Sequence, residues 1–361
     1  MAEKFRMPLV GAVTGIVSII LVMHGNPGNM GFCIACFLRD TAGALGLHGA
    51  AAVQYARPEV IGLVLGALIT SVITGEFASK GGSAPVTRFV LGACVMVGAL
   101  IFLGCPLRMV LRMAGGDLNA IVGLAGFAVG IFVGTFFLNK GFSLSRTYSV
   151  SNTDGLAYPF LNVLILLAML LFPTILLFSA EGPGALRAPM VVALAAGLAM
   201  GGIGYVSRLC FVGGIRDSFL FRNFSMLSAF IALLVVGIIG NVMFGMFNLG
   251  FAGQPVAHTD GLWNFLGLLL VGLGSVLLGG CPFRQVVLAG AGNSDSTITV
   301  FGMTFGAAMA HNFALASSPA GASDNGRVAF FVVAAIMLVI AVYNTFYNKK
   351  AGTTTKVKVS V

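Results

Sequence analysis

The chain has 361 residues, 58% of them hydrophobic and 9% charged, with a mean hydropathy of +1.01. Soluble domains carry about 25% charged residues, so water is excluded as the main solvent. The net charge of +9 sits at the ends of apolar blocks and not in one stripe, which excludes a nucleic-acid footprint and reads as membrane topology.

In chain order, the first apolar block, 8–25, follows Lys4 and Arg6 and lacks a small-residue cleavage site, so it is expected as a retained span. Blocks long enough to cross a hydrocarbon core predict ten candidate spans at about 8–24, 58–77, 86–104, 118–138, 157–179, 188–206, 224–247, 261–280, 296–316 and 328–348. These runs lack the ten-residue alternation of barrel strands, so the expected class is an all-α membrane protein of nine or ten transmembrane helices. With the amino terminus cytoplasmic, Lys4, Arg6, Lys80, Arg88, Lys140, Arg146, Lys349, Lys350, Lys356 and Lys358 fall inside, and Arg57, Arg187 and Arg327 outside. Both termini are therefore expected in the cytoplasm.

After the first span comes His24-Gly25-Asn26-Pro27-Gly28-Asn29-Met30-Gly31-Phe32-Cys33, too apolar for a free loop and too broken for a span. Irregular backbone at membrane depth survives where it is buried in protein or lines a cavity, so a re-entrant element is expected here. The stretch Phe32-Cys33-Ile34-Ala35-Cys36-Phe37-Leu38-Arg39-Asp40 lines up with Leu209-Cys210-Phe211-Val212-Gly213-Gly214-Ile215-Arg216-Asp217, which predicts a partner element over 207–222. Gly104-Cys105-Pro106-Leu107-Arg108 lines up likewise with Gly280-Cys281-Pro282-Phe283-Arg284. The separations Cys33 to Cys105 and Cys210 to Cys281, 72 and 71 residues, show one unit used twice.

Four spans per unit and one joining span imply a second copy inverted against the first, with a site near the bilayer midplane. The expected division is 1–156 for the first repeat, 157–186 for a connecting helix, 187–348 for the second repeat and last helix, and 349–361 for a basic tail.

Proline suits the first helical position, so Cys105 and Cys281 should stand at the N-cap of short helices. Free N–H groups and the helix dipole there favour anions, and Arg108 and Arg284 add positive charge. A lone cysteine in a helix bundle is usually a small buried hydrophobe. Four at matching positions on broken segments favour function, so Cys33, Cys105, Cys210, Cys281, Arg108 and Arg284 are the candidate path.

Cys36 and Cys94 default to packing, although Cys33-x-x-Cys36 has a redox spacing and a disulfide there stays open. Arg39-Asp40 and Arg216-Asp217 either hold the re-entrant turns or lie solvated at the interface. His258, His311 and Asn312 are candidates for polar contacts between helices. No ligand spacing for a metal, no cofactor fingerprint and no P-loop occur in the sequence. Gly116-Asp117 and Gly292-Asn293 read as the turn and cap that release the chain into the next span.

With Gly25-Asn26-Pro27-Gly28-Asn29-Met30-Gly31-Phe32-Cys33, the two Cys-Pro-x-Arg stretches, 207–217 and Gly253-Gln254-Pro255-Val256-Ala257-His258-Thr259-Asp260-Gly261, the chain resembles the YeeE/YedE sulfur-transport family, and more narrowly its selenium-transporter branch. The resemblance runs over nearly the full length. It implies an hourglass of spanning helices with four short helices dipping in from both faces, and cysteines that hand a small anion inward. Those cysteines match Cys33, Cys105 and Cys281, with Cys210 the remaining repeat position. It also implies a separate cytoplasmic sulfur-carrier protein of the TusA/SirA type, which is not fused to this chain. The expected function is uptake of a selenium or sulfur species across the inner membrane, and not catalysis. Specific thiosulfate uptake and a membrane sulfur-transfer enzyme remain as alternatives.

Overall fold

The computed structural model describes residues 2–347; the basic tail expected at 349–361 lies outside the described residues. The first half holds α1 (Ala2–Met23), α2 (Ile34–Ala44), α3 (Pro58–Ile73), α4 (Pro85–Phe102), α5 (Pro106–Ala114), α6 (Leu118–Asn139) and α7 (Asn152–Leu171). The second holds α8 (Met190–Ser207), α9 (Phe211–Leu220), α10 (Ser225–Met243), α11 (Gly261–Leu278), α12 (Pro282–Gly290), α13 (Ser294–Asn312) and α14 (Asp324–Val342). The order of long and short helices is the same in both. A two-stranded clip, β1 (Lys80–Gly81) antiparallel to β2 (Tyr148–Ser149), ties the loop before α4 to the loop before α7.

Nine helical stretches among the described residues are long and apolar enough to cross a membrane. The expected tenth span, 296–316, corresponds to α13, whose first turns carry Ser294, Asp295, Ser296, Thr297 and Thr299 and pack mostly inside the protein. The span expected at 157–179 starts and stops earlier as α7. Ser151 caps it by accepting from the Asp154 N–H, and Pro173 cannot continue it. Gly116 and Gly292 both take φ of 94°, and Asp117 and Asn293 then cap α6 and α13, as the sequence reading has it.

Large apolar side chains such as Phe132, Val191, Met243 and Phe331 point outward, whereas Arg39, Asp40, Arg57, Glu59, Arg108, Arg112 and Asp117 are buried. That is the reverse of a soluble protein and suits a lipid surround.

Packing partners follow the sequence repeat. α3 runs along α8 as α1 runs along α10, and α6 runs along α11 as α13 runs along α4. α4 meets α11, and α1 meets α8. The exceptions are α7, which packs on α3, α12 and α13, and α14, which packs on α4 and α11. Glycines let the long pairs approach to backbone distance. A Cβ at Gly66 would run into the Leu198 carbonyl, one at Gly126 into that of Phe265, and one at Gly302 into that of Phe89.

Candidate functional site

Each of the four short helices begins directly after a cysteine. Cys33, Cys105, Cys210 and Cys281 are the N-caps of α2, α5, α9 and α12, all with extended backbone. For α5 and α12 the cause is Pro106 and Pro282 at the first helical position. For α2 the chain is broken upstream, where Gly25 and Asn29 have φ of 118° and 59°. For α9 the break is Arg208, which closes α8 in the left-handed region. The orphan N–H groups of a helix start therefore surround each thiol.

The thiols gather in two buried sets. In the first, Cys33 Sγ lies 3.0 Å from Cys36 Sγ and 3.9 Å from Cys105 Sγ, and the Cys36 N–H points to Cys33 Sγ at 3.4 Å. In the second, the Cys281 N–H donates to Cys210 Sγ at 3.5 Å. All six cysteines are free. Phe32, one residue before Cys33, meets Phe283, two residues after Cys281, edge to face with ring centroids 6.5 Å apart. This aromatic pair joins the two sets.

Cys36, read from the sequence as packing, belongs to the first set. Its repeat position is Gly213, so the pattern that singled out the other four could not reveal it; the x-x spacing from a capping cysteine could. Cys94 fits its packing role: it lines an apolar groove of about 610 Å³ between α4, α13 and α14, with Phe89, Phe305 and Val332.

The arginines differ between the halves. Arg108 is completely buried and donates to the carbonyls of Leu103, Asn29 (3.1 Å), Val256 (3.1 Å) and Pro255 (3.4 Å), and to Cys36 Sγ at 3.4 Å. It fastens the end of α4, the strap 24–33 and the loop 250–260 around the first thiol set. Arg284 is partly buried and, among the described residues, donates only at 3.4 Å, to the Gly204 carbonyl. Its charge stays largely unspent beside Cys210 and Cys281.

Arg39 bonds Asp40 at 2.8 Å, and Asp40 also takes Arg57 at 2.7 Å, all three side chains being buried. Arg57, placed outside by the sequence reading of topology, is buried and pins the 183–186 segment through the carbonyls of Pro183 and Leu186. Arg216 and Asp217 pair at 2.8 Å with side chains 27% and 19% exposed, so this second copy is less enclosed than the first. His258 touches no thiol. Its ring nitrogen meets the Ile101 carbonyl at 2.9 Å, and Asn264 holds the His258 carbonyl, which fixes the loop 250–260 to the end of α4. His311 stacks on His48 with ring centroids 4.7 Å apart, and Asn312 donates to the Leu47 carbonyl.

Sequence reasoning also missed Arg112, which is buried and pairs with Asp117 at 2.6 Å. The signal available was two arginines one turn apart on a short helix followed by a capping acid. No group of three His, Cys, Asp or Glu side chains among the described residues is placed to hold a metal ion.

Residues 206–357 match the protein-family model described as Sulphur transport. The matched segment takes in Cys210, Arg216, Asp217, His258, Cys281 and Arg284, and so covers the second thiol set. A comparison with curated proteins returned no match.

Proposed function

We propose that this chain is an inner-membrane transporter that takes up a small selenium- or sulfur-containing species through a central path lined by Cys33, Cys105, Cys210 and Cys281. The observation that carries this reading is the placement of a buried thiol at the start of each of four short helices, gathered into two sets. Helix starts attract anions, and thiols offer S–H donors and soft sulfur contacts where water is scarce. The match of 206–357 to a sulphur-transport model supports the class of cargo.

In this reading the halves are inverted repeats. α2 and α5 dip in from one face and α9 and α12 from the other, giving an hourglass with Phe32 and Phe283 at its waist. Both termini lie in the cytoplasm. Arg108 shapes the first thiol set, Arg284 supplies field at the second, and a separate TusA/SirA-type carrier receives the cargo inside. Whole-cell uptake of radiolabelled thiosulfate and selenite tests it: Cys105→Ala and Cys281→Ala should each abolish entry at unchanged protein level. Unaltered entry in both variants refutes the thiol path.

The 3.0 Å approach of Cys33 and Cys36 favours a second reading, a membrane enzyme that exchanges sulfur or electrons through that pair. Entry of chemically unchanged thiosulfate into proteoliposomes decides against it.

A further inference from the structure

Glu59 lies outside the thiol path and has no match in the second half, where α10 opens with Ser225-Met226 and α3 with Pro58-Glu59. Its exposure is 1%, and it stands within a candidate membrane span. Oε1 accepts from Asn26 Nδ2 at 2.8 Å. Oε2 is buried and has no hydrogen-bond partner among the described residues. An ionisable side chain inside a membrane protein is costly, and a carboxylate oxygen without a partner adds to that cost.

We infer that Glu59 is a proton-binding site that couples entry of the anion to entry of a proton. This rests on the transport reading above. Asn26 supplies the mechanical link: its Nδ2 also donates to the Gly31 carbonyl at 3.1 Å, two residues before Cys33, and its Oδ1 accepts from the Ala188 N–H at 2.9 Å. Glu59 thus holds the strap that presents the first thiol set.

Charge supplies the energetic link. The charged groups that act on Glu59 are Arg57 and Asp40, with Tyr55 nearby and Arg187 over the Tyr55 ring. From α8 the neighbour is Gly197; Arg284 of α12 is engaged further along α8, at Gly204, and Asp154 of α7 is exposed in that helix's first turn. Arg39 completes the group through Asp40. With Glu59 ionised, the buried Arg39 and Arg57 balance the buried Asp40 and Glu59, the Arg187 side chain being exposed. One proton added to Oε2 leaves these four side chains one unit positive, which favours an anion at the first thiol set, on which Arg39 acts, and the proton leaves again when the anion has moved on. Only an O–H bond forms and breaks, and no electron is transferred. By linkage the anion then strengthens proton binding as much as the proton strengthens anion binding.

The test uses the purified full chain in proteoliposomes, with radiolabelled thiosulfate and selenite as separate probes. With the outside more acidic than the inside, initial entry into wild-type vesicles should rise several-fold over entry at equal pH. Glu59→Gln should lose that stimulation, and Glu59→Asp should regain part of it. In parallel, a hydrophobic carbodiimide, which reacts with protonated buried carboxyls, should form an adduct on Glu59 that grows as pH falls. Entry indifferent to the gradient, stimulation intact in Glu59→Gln, or no adduct at any pH overturns the inference while leaving the transport reading standing. If neither probe enters wild-type vesicles under any condition, the transport reading falls, and the adduct still reports whether Glu59 takes up a proton.

Discussion

The two thiol sets share one backbone plan and differ in how tightly side chains close around them. In the first half Arg108 spends its donors on four carbonyls and a thiol, and Asp40 is clamped between two buried arginines. In the second, Arg284 reaches one carbonyl at 3.4 Å, and the Arg216–Asp217 pair is partly exposed. A duplicated scaffold can therefore enclose one site fully and leave its counterpart looser and partly exposed.

The largest expected effect separates the two acidic partners. Asp40→Ala leaves two buried arginines uncompensated and should cost about 3–5 kcal/mol, read as a lost or strongly lowered thermal transition in detergent. Asp217→Ala removes a partly exposed pair and should cost no more than about 1 kcal/mol by the same measurement. Equal losses in both variants would break the comparison.

Next come the arginines. Lysine is a point charge and cannot span several carbonyls, so Arg108→Lys should lose charged hydrogen bonds worth about 1.5–3 kcal/mol each and lower uptake sharply. Arg284→Lys keeps the charge and should stay near wild-type uptake. The smallest effect concerns the odd thiol. Cys36→Ala should weaken uptake only in part, since Cys33 and Cys105 remain in contact. Gly213→Cys, where a new Cβ meets the flexible end of Met226, should be tolerated and sharpen the likeness of the halves.

Much of this was legible in the sequence because backbone punctuation is local. Pro106, Pro282, Gly116 and Gly292 fix helix starts and turns by their own stereochemistry, so the capping cysteines Cys105 and Cys281 and the caps Asp117 and Asn293 are legible in the sequence alone. What the sequence hid depends on which segments meet in space. Arg57 precedes a helix-starting proline and looks like a surface charge; only the return of segment 183–186 across it makes it a buried clamp. Glu59 and Asn26 lie 33 positions apart and carry no shared motif. Cys36 was discounted because its repeat counterpart is glycine, and a repeat reveals only what both copies keep.

The glycine contacts between the long helices have a mechanical consequence. Where the carbonyls of Phe265, Leu198 and Phe89 lie at the surface of the facing helix, there is no layer of side chains to act as a bearing, and neither partner can slide or roll without breaking backbone proximity along its whole length. Those pairs behave as welded beams. Any rearrangement is then left to the short helices and the straps that carry them, where no such backbone contact spans a whole helix.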